Sequence, residues 1–181
     1  MSLSTDEKIT SNPQQQGLVG ILELLKNWRF RLNHAQAGHY VVAEKYLRFH
    51  DYLGMLLVML SAFVSCFLFF DFKGAIDFRI RIGVVVAGVF STVLASVQTF
   101  LRPGEKAELH RAKAARYGQL KRQVEVFVAK GFANEKEASD FLLHVETRWD
   151  HIADDAPVTP QSVRKRIGQL IESERQLQNA N

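Results

Sequence analysis

Charge is missing where its absence carries the most meaning. Between Tyr52 and Phe70, and again between Ile82 and Leu101, there is no Asp, Glu, Lys or Arg. Each run is about 20 residues, the length of helix that covers a hydrocarbon layer of roughly 30 Å. A buried core hairpin of a soluble bundle is the competing reading, but such helices usually keep one polar face toward water. Cysteine is nearly absent as well. The single Cys66 excludes a disulfide within the chain, and no Cys/His spacing suits a metal. There are only 4 prolines, and none falls between Gln14 and the end of the first run, so a helix can pass through uninterrupted. No Gly-rich phosphate loop, HExxH or nucleophile elbow occurs. The chain is therefore expected not to be an enzyme, with no catalytic residue, cofactor or metal. Strand signals, internal repeats and low-complexity tracts are missing too.

What is present reads as a transmembrane hairpin: first span 52–70, external loop 71–81, second span 82–101. Lysine and arginine set its direction. The N-terminal flank carries Arg31, Lys45 and Arg48, and the C-terminal flank Arg102, Lys106, Arg111, Lys113, Arg116, Lys121 and Arg122. The loop holds Lys73, Arg79 and Arg81, offset by Asp71 and Asp77. The bias places both termini in the cytoplasm. The formal charge of +4 then belongs to flanks that touch anionic lipid. Nucleic-acid binding is the other reading of basic charge, and no interleaved aromatic and basic platform supports it. Residues 1–16 are polar, lack the apolar segment of a signal peptide, and read as a disordered lead-in.

The cytoplasmic arm, 17–51, has the clearest pattern. Ile21, Leu25, Trp28, Leu32, Ala35, His39, Val42, Tyr46, Phe49 and Leu53 alternate in steps of four and three, an a/d heptad seam. It predicts one helix over 18–70, roughly 80 Å long, packing as a coiled-coil-like stalk or within its own bundle. The residues Ile21, Leu25, Trp28, Leu32, His39, Val42 and Tyr46 are the expected assembly seam. Arg102-Pro103-Gly104 marks a break. A helix over 105–130 follows, with Ala107, His110, Ala114, Tyr117, Leu120, Val124 and Phe127 on one face and Gly131 at its end. Asn134 and Glu137 form a capping box for 135–152, which buries Ala138, Phe141, Leu142, Val145, Trp149 and Ile152. After the linker 154–158, Thr159 caps and Pro160 opens a last helix over 160–176, with Val163, Ile167, Leu170 and Ile171 apolar. Residues 178–181 are a tail. The expected fold is an all-α membrane protein: a two-helix hairpin, a long N-terminal helix continuous with the first span, and a cytoplasmic bundle of about four helices.

Two stripes stand out in the second span. Gly83, Ala87, Ser91 and Ala95 recur every fourth residue, and Gly88, Thr92 and Ser96 form a second small or polar stripe beside them. Gln98 and Thr99 extend the polarity toward the cytoplasmic end. Small residues allow close helix approach and hydroxyls bond across it, so helix packing inside the hairpin is one reading. Lining of an oligomeric pore is the other, and it needs several subunits, four or more, because two spans cannot enclose a water path. Neither span contains a charge for a proton relay or voltage sensor. Of the six histidines, His39 and His110 face apolar sides and read as packing residues or a protonation gate. Asp150, Asp154 and Asp155 beside His151 read as a solvated helix end or a weak cation site. An interfacial enzyme using either group is the least favoured class.

The Trp28 helix, Ala37-Gly38-His39-Tyr40, the second span ending Phe100-Leu101, the His110-Arg111 to Tyr117 helix and Ala156-Pro157 together resemble the SLATT family. These are two-transmembrane effectors associated with bacterial nucleotide-second-messenger systems. The resemblance spans roughly residues 20–175 and rests on architecture rather than a catalytic motif. It implies a homo-oligomeric pore-forming effector of anti-phage defence in the bacterial inner membrane, opened by a separate sensor protein or a cyclic nucleotide. A membrane-anchored scaffold without a pore, docking a partner through its bundle, is the alternative.

Overall fold

A computed structural model describes residues 13–71 and 77–180. Among the described residues five helices run in order: α1 (Pro13–Asp71), α2 (Phe78–Leu101), α3 (Pro103–Lys130), α4 (Glu135–Asp154) and α5 (Gln161–Ala180). No strand occurs among the described residues. The all-helical expectation holds, and α1 is the unbroken helix that the proline-free stretch required. It starts earlier than the seam implied. Residues 13–16 of the expected lead-in are helical, while 1–12 lie outside the described residues, as does Asn181 of the tail.

Contacts divide the chain into two units, Met1–His39 with Ala112–Asn181, and Tyr40–Arg111. The first is a helical bundle. Leu25 and Leu32 of α1 are fully buried against Tyr117, Leu120 and Val124 of α3 and Phe141, Val145 and Ile152 of α4. Each such side chain contributes about 1.5–3 kcal/mol on leaving water. α5 buries Val163, Ile167 and Ile171, a strict every-fourth-residue stripe. Leu170 falls outside that stripe and is exposed, contrary to the sequence expectation.

The turns explain where these helices stop. Gly131 ends α3 at φ 77°, and its N–H donates to the Phe127 carbonyl at 3.0 Å. Only glycine takes that left-handed backbone without a steric penalty. Phe132 then stacks near Phe127 and Phe141, with Phe127–Phe141 ring centroids 3.8 Å apart. Asn134 caps α4 by accepting from the Glu137 N–H at 2.8 Å. The Glu137 carboxylate accepts from Ala133 N–H, not from Asn134 as a standard box requires. At α5 the expected cap moves by one residue. The Pro160 carbonyl accepts the first helical bonds, from Val163 and Arg164 at 3.1 Å, so Pro160 is the cap and Gln161 begins the helix.

The second unit contains the hairpin. Leu53 is buried, and Leu57, Leu60, Val64 and Phe67 are half-buried along one stripe of α1. On α2, Val84 is buried and Ala87, Ser91, Leu94 and Gln98 are half-buried at heptad spacing. Phe49 is 44 % exposed, and the seam passes through half-buried His50 instead. Val42, Tyr46 and His50 are two successive four-residue steps, a stutter that locally unwinds a heptad pattern. α2 also starts four residues before the expected span. Asp77 accepts from the Arg79 N–H at 3.0 Å, which caps the helix at Phe78 and moves Arg79 and Arg81 from the loop into its first turn. Residues 72–76 of the expected loop lie outside the described residues. At the other end Arg102 takes a left-handed conformation, φ 44° and ψ 54°, and Pro103 begins α3.

Two helices of the structure are long and apolar enough to cross a membrane. Their outward side chains are bare: Val58 is 68 %, Met59 65 %, Val85 62 % and Val89 60 % exposed. Soluble monomers rarely leave a contiguous apolar surface of this kind in water.

Candidate functional site

α2 separates the two stripes. Ala87, Ser91 and Ala95 are half-buried, while Gly83 at the start of their stripe is exposed. Gly88 is half-buried, and Thr92, Ser96 and Thr99 are exposed. Each of these three hydroxyls donates to its own helix: Thr92 to the Gly88 carbonyl at 3.1 Å, Ser96 to Thr92 at 2.8 Å and Thr99 to Ala95 at 2.9 Å. Back-bonding of this kind occupies each hydroxyl proton within its own helix. Ser61 of α1 donates likewise, to the Val58 carbonyl at 3.0 Å.

At the Arg102 end of the hairpin a polar cluster gathers. His50 Nδ1 lies 3.4 Å from Gln98 Nε2, so the amide donates to the ring. Gly104 sits under the same imidazole, where an added Cβ would stand 3.6 Å from it. His110 stacks on Tyr46 at 5.9 Å, and the Lys106 amine lies over the Tyr46 ring, 5.9 Å from its centroid. In the bundle His39 stacks on Tyr117 at 5.5 Å. The two buried histidines thus each face a tyrosine, as packing residues do.

The expected assembly seam is covered by the chain itself. Leu25 and Leu32 have no exposure, His39 5 % and Val42 3 %, which takes them out of reach of a second copy in this conformation. Ile21, Trp28 and Tyr46 are half-buried. Sequence reasoning missed Lys113, counted there as a membrane-flanking charge. It is 6 % exposed, and its amine meets Asp155 at 3.5 Å. That pairing claims one carboxylate of the acidic group at the end of α4, and no metal-holding cluster occurs among the described residues.

Burial lowers the His110 pKa from its ordinary value, because the imidazolium loses hydration. The unfolded chain then binds this proton more readily than the folded one, so stability is complete above about pH 6.5 and declines as pH falls toward the lowered value. Tyr46 stacks on it, and Lys106 lies over the Tyr46 ring. Thermal melts at pH 7.5 and 5.5 should show a larger acid-induced loss for the wild type than for His110→Gln. Equal losses would remove His110 as the source.

No protein-family model matches this chain, and no curated protein or solved structure matches it either.

Proposed function

We propose that this chain is a membrane-embedded effector whose copies assemble, as a tetramer or larger, into an ion-conducting pore. The observation that carries the reading is the exposed Thr92, Ser96 and Thr99 face of α2, three hydroxyls in line on a hairpin whose other exposed side chains within the two uncharged runs are largely apolar, Ser61 and Ser65 of α1 excepted. Lipid does not call for hydroxyls at that face, whereas a water path between subunits does. On this reading both termini are cytoplasmic, following the basic flanks, and the membrane is the bacterial inner membrane. A separate sensor protein or second messenger would open the pore in anti-phage defence, as the SLATT resemblance implies. The second reading, a non-conducting anchor that displays the bundle to a partner, draws on the half-burial of Ala87, Ser91 and Ala95 within the hairpin.

Ion flux from liposomes containing the purified protein, with oligomer mass measured in the same preparation, tests this. Thr92→Leu with Ser96→Leu should abolish flux while insertion and oligomer mass are kept. Ser91→Leu should instead disturb hairpin packing and lower the yield of folded protein. Flux unchanged by the Thr92/Ser96 pair would remove that face from the pore, and a stable oligomer silent under every trigger would favour the anchor.

A further inference from the structure

The bundle contains a cavity of about 620 Å³, within the range of small-molecule sites, roughly 300–1,000 Å³. It is assembled from distant parts of the chain: Phe30, Arg31 and His34 of α1, Tyr117 of α3, Trp149 of α4, and Arg164 of α5, with the Ala156-Pro157 linker at its edge. Two properties define what it would accept. Its lining includes two guanidinium groups and no carboxylate. Among the described residues neither Arg31 nor Arg164 forms an ion pair. The walls are flat and aromatic. Arg31 stands 5.0 Å over the Trp149 ring, Trp149 is held edge-on by Trp28 at 5.8 Å, and Phe30 packs against His34 at 4.3 Å. His34 Nδ1 donates to the Phe30 carbonyl at 3.0 Å, which fixes the ring and turns Nε2 away from its own helix.

We infer that this cavity binds a mononucleotide-type ligand, a flat heteroaromatic ring joined to a phosphate. Guanidinium forks match phosphate oxygens in pairs, and aromatic side chains with a stacked arginine accept a ring face of any base. A simple anion would use the arginines and leave the aromatic walls empty. An uncharged aromatic would use the walls and leave both arginines, which are exposed at the cavity's rim, without a role. Gly38 lines the same space, and a Cβ there would meet only Thr159 Cγ2 at 3.6 Å, so a longer side chain at this position grows into the cavity without displacing backbone. The site lies wholly in the bundle unit, and its occupancy does not depend on whether the hairpin conducts.

The test uses the full chain in detergent micelles, which removes conductance from the readout. Trp28 and Trp149 are the only two tryptophans, and they touch, so their fluorescence reports the cavity directly. Adenosine monophosphate should quench saturably. Adenosine and inorganic phosphate alone should each bind at least about tenfold more weakly, the loss of one set of charged or stacking contacts. Arg31→Ala and Arg164→Ala should weaken adenosine monophosphate by about tenfold or more, and Gly38→Met should abolish it, each at unchanged melting temperature. Arg31→Lys serves as a second variant if Arg31→Ala loses its fold, and should bind less tightly than wild type. Absence of saturable quenching by adenosine monophosphate at millimolar concentration would overturn the assignment. Quenching that survives Gly38→Met in a folded protein would overturn it equally.

Discussion

Met59→Arg will expel the hairpin from the bilayer. Met59 is 65 % exposed and lies near the middle of the first apolar run. On the surface of a soluble protein that substitution is close to neutral, within about 0.5 kcal/mol. At the centre of a membrane helix an arginine costs about 2.5–3.5 kcal/mol, a shift of roughly 70- to 350-fold in the insertion equilibrium. The two environments predict opposite results from the same exposed position, which makes the substitution decisive. Flotation of the protein with liposomes should recover the wild type in the lipid fraction and lose Met59→Arg from it. Adding Val89→Arg on α2, itself 60 % exposed, should complete the loss. Val19→Arg is the control: Val19 is 61 % exposed but lies before the apolar run. If Met59→Arg floats as well as Val19→Arg, the hairpin is not in lipid.

Leu32→Ala should be the most damaging change in the bundle. Leu32 has no exposure and joins α1 to the α3 and α4 faces of the core. Removing its branch forfeits both the transfer free energy and the packing around the gap, about 2–5 kcal/mol. The corresponding drop in melting temperature is roughly ten degrees or more for a unit of this size. Leu24, one helical step away from the neighbouring core position and 39 % exposed, is the comparison, and Leu24→Ala should cost less than half as much. Circular dichroism melts of the two variants in the same detergent would check the ratio. Similar losses would mean that the seam's inner and outer positions are energetically alike, against the burial pattern.

The bundle half of the seam was readable from sequence because Leu25, Leu32 and His39 obey one period. The reading slipped at Phe49, where the strict heptad continues and the actual seam does not. The partner surface decides that position, and His50 wins it by reaching Gln98. Gly131 and Asn134 were legible because a left-handed turn and a cap each need a particular residue type. The α2 start was not, because Phe78, Arg79, Ile80 and Arg81 look like loop charge until Asp77 is seen to cap them. Lys113 could not be recognised as buried, since its cover comes from the far end of α4. The cavity was invisible for the same reason. Arg31, Tyr117, Trp149 and Arg164 share no local pattern, and only the antiparallel folding of the bundle gathers them.

The back-bonded ridge on α2 has an electrical sign. Thr92, Ser96 and Thr99 have each committed their single proton to a carbonyl one turn behind. What each oxygen still offers is a lone pair, and Thr92 and Ser96 repeat this offer about 6 Å apart along the axis. A cation shedding water beside this ridge finds electron density in place of the lost hydration. An anion finds no proton to replace it. Conduction along such a surface would therefore discriminate by charge without any charged residue, favouring sodium or potassium over chloride.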